Sequence, residues 1–197
     1  MTVMRGVVGI ILAGGESRRM GSDKALVEVG GRPMAGWVAD AMAAFDRVVM
    51  VGRPQGVAGL EAIPDLQPGP AGPLSGLQTA LDVFRCPLVV VAVDQPLVRS
   101  GTLDRLAEWA ANDQTAVCVD ERPQVTCAAY SADCLDEATR ILRSGGSIQQ
   151  LLRSVPWTRL EREVWSSWGE DGRSWFSMDS QDAIAAAERR FRIDLLG

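Results

Sequence analysis

The feature that most constrains this chain is an apolar segment that ends in a glycine turn and a basic loop, within residues 7–24. Residues 7–12 are apolar and rich in β-branched side chains, a pattern that predicts a buried strand. The strand is followed by Gly14-Gly15, where the backbone can adopt positive φ and approach a ligand closely. The loop then carries three cations: Arg18, Arg19 and Lys24. Backbone N–H groups and cations in this order predict a site for a polyphosphate.

Two common phosphate-binding motifs do not fit this stretch. A Walker loop needs G-x-x-x-x-G-K-[ST], whereas here five residues separate Gly15 from Gly21 and Ser22 follows. The dinucleotide fingerprint G-x-G-x-x-G is also absent. Residues 12–24 instead read L-A-G-G-x-S-x-R-M-G-x-D-K. The alternative without a ligand is a strand, a turn and a solvated basic loop.

The composition excludes several classes of function. The net charge of the 197 residues is −5, which argues against non-specific binding of nucleic acid. No apolar run is long enough to span a membrane and the start lacks a signal-peptide pattern, so we expect a cytoplasmic protein. The chain length predicts one domain over residues 1–197. The absence of histidine excludes His-based catalysis and His metal ligands. Because the four cysteines match no zinc pattern, any metal is left to carboxylates, which suit Mg²⁺.

Several further segments predict a mainly parallel sheet flanked by helices. Strands are predicted at residues 48–51, 60–63 and 88–93, and the last is apolar without alternation, as in a strand buried on both faces. A helix with Pro33 at its first position is predicted before the second strand. Its sheet-facing residues are predicted at helical spacing: Trp37, Val38, Ala41, Met42 and Phe45. The βαβ order predicts right-handed crossovers and an α/β fold.

Two aspartates follow predicted strands. Asp65 begins a stretch, residues 65–77, whose prolines and glycines forbid regular structure until about Leu74. Long loops in α/β folds are often functional, although an ordinary connection is the alternative. Asp94 follows the strand at 88–93, and ligands of open α/β sheets bind at the carboxyl ends of strands. A capping or turn-forming role is the alternative for Asp94.

The rest of the chain carries mostly structural signals. We expect a helix at 102–111, strands at 116–119 and 125–130 around a turn at 120–123, and a helix at 132–142 capped by Ser131. Ser147 and Gln150 predict a capping box, and Ser180 predicts the N-cap of a final helix at 181–191. Residues 157–175 hold four of the six tryptophans. We expect a hairpin packed on the core there, with a surface that stacks the ring of a ligand as the alternative.

The pattern at residues 12–24 resembles the signature of nucleotidyltransferases, most closely that of the molybdenum cofactor guanylyltransferases. Two other segments are similar to elements of that family. The stretch from Asp65 is similar to D-x-x-x-x-G-P-L-x-G with one insertion of two residues, and Asp94-Gln95-Pro96 is similar to D-x-P-x-[LI]. The resemblance covers most of the chain and is weak after residue 155.

The resemblance implies a Rossmann-like three-layer α/β/α fold of the nucleotide-diphospho-sugar transferase type. It implies transfer of GMP from GTP to Mo-molybdopterin, with the guanine dinucleotide cofactor and pyrophosphate as products and Mg²⁺ as cofactor. An in-line attack by a terminal phosphate on the α-phosphorus depends mainly on positioning and charge neutralisation. Other proteins of molybdenum cofactor metabolism are expected partners, whereas nucleic acid and membranes are not.

The resemblance also assigns roles to residues. The implied nucleotide-binding residues are Leu12, Ala13, Gly14, Gly15, Lys24, Asp65 and Asp94. The implied catalytic residues are Arg19, Lys24 and Asp94. Asp65 would contact guanine, Asp94 would hold Mg²⁺, and Arg18 would join the other cations at the triphosphate.

Two departures from the family pattern stand out. Ser177 and Asp179 occupy the positions of the two asparagines in an Asn-x-Asn-Thr-Pro-like segment. Val51-Gly52-Arg53 stands where a polar residue often ends the second strand, which leaves one expected nucleotide contact unaccounted for.

Three rival functions remain. They are a cytidylyltransferase for the same pterin, which usually shows Leu-Ala-Ala-Gly in the turn; a sugar-phosphate nucleotidylyltransferase; and a non-catalytic nucleotide-binding module.

Overall fold

Up to residue 154 the main strands and helices follow the order that the sequence predicts, in a computed structural model that describes residues 6–14, 23–66 and 72–192. The strands are β1 (Val8–Leu12), β2 (Glu28–Val29), β3 (Arg32–Pro33), β4 (Val48–Val51), β5 (Glu61–Ile63), β6 (Leu88–Ala92), β7 (Ala116–Asp120), β8 (Arg122–Tyr130) and β9 (Thr158–Leu160). The α-helices are α1 (Met34–Ala41), α2 (Pro73–Phe84), α3 (Ser100–Ala111), α4 (Cys134–Arg143), α5 (Ile148–Ser154), α6 (Arg162–Ser166) and α7 (Gln181–Phe191). Short 3-10 helices lie at Lys24–Leu26 and Arg173–Trp175.

Seven of the strands in these described ranges form one sheet, in the order β5-β4-β1-β6-β8-β7-β9. Strands β5, β4, β1 and β6 run parallel to one another. Strand β8 runs antiparallel to both of its neighbours, β6 and β7, and β9 is parallel to β7. The expected mainly parallel sheet is therefore confirmed. Because β1 lies between β4 and β6, the carboxyl ends of these three strands meet at one edge.

Helices cover both faces of this sheet, which gives the expected three layers. Ile11 of β1 packs with Val38 of α1 and Leu103 of α3. Its neighbour Ile10 points the other way and packs with Leu77 of α2, in a cluster that also includes α4 and α5. Within the part of the chain described, no helix has both the length and the apolar character needed to cross a bilayer.

One of the five residues predicted to face the sheet departs from that prediction, whereas the other four lie in or against the core cluster: Val38, Ala41, Met42 and Phe45. Trp37 does not face the sheet: it is 37% exposed, and its indole N–H donates to the carbonyl oxygen of Val29 at 2.8 Å. That polar group needs an acceptor, which the hairpin of β2 and β3 supplies at the surface. Pro33 lies in β3, immediately before α1, and the helix ends at Ala41.

The tryptophan-rich segment does not form the expected hairpin. Thr158 of β9 pairs in parallel with Ala116 of β7, and the chain then enters α6. Trp165 is 1% exposed, and its ring meets that of Trp175 edge-on with centroids 5.1 Å apart. These two tryptophans are therefore core residues, while Trp157 and Trp168 are half-buried.

Two smaller corrections concern the second half. The predicted turn at 120–123 is tighter than expected: Glu121 turns the chain at a φ of 58°, and Arg122 and Pro123 already belong to β8. The helix predicted at 132–142 begins at Cys134 instead. The capping box at Ser147 and Gln150 and the N-cap at Ser180 are confirmed.

A buried carboxylate fastens the segment after α6. Glu170 is 4% exposed and accepts hydrogen bonds from the backbone of Gly172 at 2.7 Å and of Asp171 at 3.0 Å. The hydroxyl of Thr102 in α3 donates at 2.6 Å, and that of Ser174 donates as well. A carboxylate that accepts this many hydrogen bonds can be buried without a cation. Glu170 therefore holds the chain leading to residues 174–178 against α3.

We expect Glu170→Ala to lower the free energy of unfolding by about 3 kcal/mol, because it leaves buried hydroxyl and N–H donors without an acceptor. Urea denaturation followed by circular dichroism measures this change. Glu163→Ala, at an exposed position in α6, is the matched control and is expected to change stability by less than about 0.5 kcal/mol. Equal effects of the two substitutions would contradict the anchoring role.

Candidate active site

The edge where three parallel strands end is the centre of the candidate site. The backbone N–H of Ala13 donates to the carbonyl of Val51 at 2.8 Å, and that of Val93 donates to the carbonyl of Leu12 at 2.9 Å. These bonds extend the parallel pairing beyond the ends of β1 and β6. The side chain of Leu12 is buried, so Leu12 can contribute only its backbone to a ligand site.

Two glycines bring the ends of β1 and β4 into direct contact. A Cβ on Gly52 would lie 2.5 Å from both the N and the Cα of Gly14. Gly52 also adopts a φ of +98°, which side-chain-bearing residues rarely adopt. This close approach accounts for the glycine where a polar residue often ends the second strand in the family.

The side chain of Arg53, one residue later, returns to the same edge. Its guanidinium pairs with Asp23 at 2.9 Å, and its side chain is 13% exposed. Asp23 in turn accepts from the backbone N–H of Ala25 at 3.1 Å and caps the short 3-10 helix that begins with Lys24. Arg53 therefore braces the segment that carries Lys24. The sequence analysis missed this contact, although an aspartate directly before the predicted phosphate lysine signals a cap.

The carboxylate of Asp65 lies close to Gly14 and Gly76. A Cβ on Gly14 would be 3.2 Å from its Oδ2, and a Cβ on Gly76 would be 3.6 Å from its Oδ1. Oδ1 is buried, and none of the residues that the structure describes donates to it. Burial raises the pKa of Asp65 above its ordinary value, while a hydrogen bond from Ser75 acts in the opposite direction. A half-buried carboxylate with an unused acceptor is typical of a ligand-binding group.

Lys24 and Asp94 form an ion pair on the other side of the turn. The Nζ of Lys24 lies 2.7 Å from Oδ2 of Asp94, with side chains 28% and 16% exposed. Lys24 is the only lysine in the sequence. Asp94 caps no helix, since α3 begins at Ser100 with Arg99 as its N-cap. Asp94 does lie in a turn, but its carboxylate faces Lys24 rather than a backbone N–H.

The structure thus brings Leu12, Ala13, Gly14, Lys24, Asp65 and Asp94 to one edge of the sheet. Gly15, Arg18 and Arg19, which the sequence also assigns to this site, lie outside the described residues.

The donor set around Asp94 fits a hard divalent cation bound by few protein ligands. In the described ranges, no group of three or more Asp, Glu, His or Cys side chains could enclose a metal. Mg²⁺ commonly takes one or two carboxylates and completes its coordination with water and substrate phosphates. Asp94, partly exposed beside the sole lysine, provides one such carboxylate oxygen.

Relatives with assigned activities share most of this chain. A molybdenum cofactor guanylyltransferase from Xanthomonas euvesicatoria pv. vesicatoria is 33% identical over 160 residues, which cover 79% of this chain and 80% of the relative. A molybdenum cofactor biosynthesis bifunctional protein from Synechocystis is 31% identical over 147 residues. That match covers 70% of this chain and 42% of the longer relative, so the chain spans less than half of it.

Solved structures share the fold. The crystal structure of molybdopterin-guanine dinucleotide biosynthesis protein A from Archaeoglobus fulgidus superposes with a TM-score of 0.80 at 26% identity, over 94% of this chain and 98% of that one. The Mycobacterium tuberculosis protein Rv0371C, described in complex with manganese, has a TM-score of 0.65 at 19% identity over 92% and 97% of the two chains, and shows the shared fold alone. The three-layer fold is thus that of the nucleotide-diphospho-sugar transferase type.

A family model, the MobA-like NTP transferase domain, matches residues 9–162. This match spans β1 and β6 with the aspartates that follow β5 and β6, so the residues gathered at the sheet edge lie within it. The chain therefore belongs to the MobA-like NTP transferase family.

Proposed function

We propose that this chain transfers GMP from GTP to Mo-molybdopterin, forming the guanine dinucleotide cofactor and releasing pyrophosphate. The observation that carries the proposal is the buried Oδ1 of Asp65, an acceptor without a described donor, held against Gly14 at the glycine turn. The names of the relatives support this reaction. They do not favour the cytidylyltransferase, the sugar-phosphate enzyme or a non-catalytic module.

Asp65 is proposed to select guanine. A carboxylate can accept from both N1–H and the 2-amino group of guanine, whereas adenine and cytosine do not offer this pair of donors. Because burial already disfavours the charged form of Asp65, a base that donates two hydrogen bonds would relieve an existing cost. A side chain at position 14 would crowd this carboxylate, since its Cβ would lie 3.2 Å from Oδ2 of Asp65 and 3.2 Å from Cα of Gly52.

Lys24 and Asp94 are proposed to serve the phosphates. Lys24 would neutralise charge on the triphosphate and the departing pyrophosphate, together with Arg18 and Arg19. Asp94 would hold Mg²⁺, which when bound supplies Lewis-acid polarisation of the phosphoryl oxygens. The pairing of Lys24 with Asp94 at 2.7 Å sets the lysine beside the metal-binding carboxylate. Positioning of this kind provides most of the catalysis in phosphoryl transfer.

The setting of the reaction follows from the same proposal. The substrates are GTP and Mo-molybdopterin, both small anions, which suits a local basic site on an acidic chain. We propose that the chain acts as a single nucleotidyltransferase domain in the cytoplasm. Other proteins of molybdenum cofactor metabolism would deliver the pterin and receive the product.

A pyrophosphate-release assay with each of four NTPs tests the reaction. We expect GTP to release pyrophosphate, and to do so only when Mo-molybdopterin is present. We also expect calorimetry to show that GTP binds more tightly than ATP or CTP. A missing donor pair would leave the buried Oδ1 of Asp65 without a donor, which costs about 1–3 kcal/mol. Equal or tighter binding of CTP would overturn the guanine assignment, and nucleotide binding without pyrophosphate release would indicate a non-catalytic module.

We expect Asp65→Asn to weaken GTP binding by roughly 10- to 100-fold, since the amide presents a donor to the donors of guanine. The same change is expected to raise the melting temperature at neutral pH. Because folding raises the pKa of Asp65, ionisation costs stability as pH rises through the window between the unfolded and folded values. The stability advantage of the variant should therefore vanish at pH values below that window. The exposed Asp46→Asn is the control and should change neither quantity.

We expect Lys24→Ala and Asp94→Asn each to reduce kcat by about 10²- to 10³-fold, because each removes fixed charge at the phosphates. The matched control is the surface ion pair of Asp82 in α2 with Arg85, the residue that follows this helix, where Asp82→Asn should leave kcat unchanged. Near-normal turnover of Lys24→Ala with an unchanged melting temperature would show that this lysine is only a surface charge. A destabilised but active Asp94→Asn would refute its assignment to the metal.

A further inference from the structure

A serine distant in sequence contacts the carboxylate of Asp94. The hydroxyl of Ser177 donates to Oδ2 of Asp94 at 3.0 Å, and Lys24 Nζ contacts the same oxygen at 2.7 Å. None of the described residues adds a hydrogen bond to Oδ1. The two donors thus engage one carboxylate oxygen and leave the second free of described protein donors.

The backbone around Ser177 is fastened to the loop that carries Asp94. The N–H of Met178 donates to the carbonyl of Asp94 at 2.7 Å, and the side chain of Gln95 donates to the carbonyl of Trp175 at 3.4 Å. The hydroxyl of Ser174 accepts from the backbone N–H of Arg99 at 3.0 Å. Bonds on both sides of Ser177 therefore fix where its hydroxyl lies.

We propose that Ser177 is a positioning residue for the divalent cation site. Its hydroxyl, with Lys24, holds Oδ2 and thereby leaves Oδ1 of Asp94 as the oxygen offered to the cation. The carboxylate of an aspartate can rotate about the single bond that joins it to Cβ, and a hydrogen bond to one of its oxygens restricts that rotation. This inference rests on the proposed function, and it gives a role to the serine that stands where the family usually has asparagine.

The sole lysine provides a direct reporter for this proposal. Labelling the protein with ¹³C-lysine gives one side-chain Cε signal, from Lys24. Paramagnetic Mn²⁺ bound at Asp94 would broaden that signal, since the lysine contacts the same carboxylate. The titration uses Mn²⁺ with the α,β-methylene analogue of GTP, so that no turnover occurs.

Three variants isolate the hydroxyl. Ser177→Ala removes the donor, whereas Ser177→Thr keeps it and places its extra methyl at an exposed position. Ser166→Ala, at an exposed position in α6, is the matched control. Because Ser177 is exposed, we expect all of these variants to fold like the parent chain.

We expect Ser177→Ala to raise the Mn²⁺ midpoint by about tenfold, as the loss of a hydrogen bond to a charged group predicts. Ser177→Thr and Ser166→Ala should remain within about twofold of the parent chain. In the assay with Mg²⁺, Ser177→Ala should raise the KM for the metal by a similar factor and lower kcat at saturating metal by less than about threefold. A merely structural role of Ser177 would not change the KM for the metal separately from kcat.

The outcomes distinguish this inference from the proposed function. If Ser177→Ala matches Ser166→Ala in the titration, the positioning role is overturned, and GTP turnover by the parent chain would leave the proposed function standing. If Ser177→Ala weakens Mn²⁺ binding but the parent chain releases no pyrophosphate with GTP and Mo-molybdopterin, the proposed function is overturned and the positioning role of Ser177 stands. Absence of Mn²⁺ broadening in the parent chain would also overturn the inference.

Discussion

The parallel pairing of β4, β1 and β6 is the constraint on which the site depends. It sets three strand ends side by side, and the hydrogen bonds of Ala13 and Val93 carry the pairing one step beyond the strands. Ala13 and Gly14, which follow β1, then lie between the residues that follow β4 and β6. The contact of Gly14 with Gly52 requires that Gly52 has no side chain, and a Cβ on Gly14 would be crowded as well. Without that register, the chemically useful side chains would be scattered along the chain.

The two carboxylates at this edge have different surroundings, which suit different tasks. Asp65 has a buried oxygen without a described donor and a raised pKa, so a ligand that donates hydrogen bonds would be favoured there. Asp94 is held by a lysine and a serine hydroxyl at one oxygen. We propose that Asp65 binds a neutral base with donors and that Asp94 binds a cation. Separation of roles between similar residues through their environments is a general property of active sites.

The predictions from sequence were accurate where local patterns suffice and failed where distant contacts decide. The apolar run of β6 and the cap at Ser180 follow from local composition, and both are confirmed. Trp37 faces solvent because its indole N–H finds a carbonyl on a neighbouring hairpin, which helical periodicity does not encode. The tryptophan-rich segment pairs in parallel with β7, a strand some 40 residues earlier, so local turn signals misled its assignment.

The sequence by itself determined the glycine turn, the sole lysine beside it, the absence of histidine, and the aspartates after two predicted strands. These features indicate phosphate chemistry with a hard cation, because residue type and strand-end position carry that information. Only the tertiary structure decided which polar groups meet. Lys24 pairs with Asp94, Arg53 pairs with Asp23, and the Ser177 hydroxyl contacts the same carboxylate oxygen as Lys24. Such contacts join residues up to 83 positions apart, and their geometry is set by strand order and the anchoring of distant segments rather than by any local pattern.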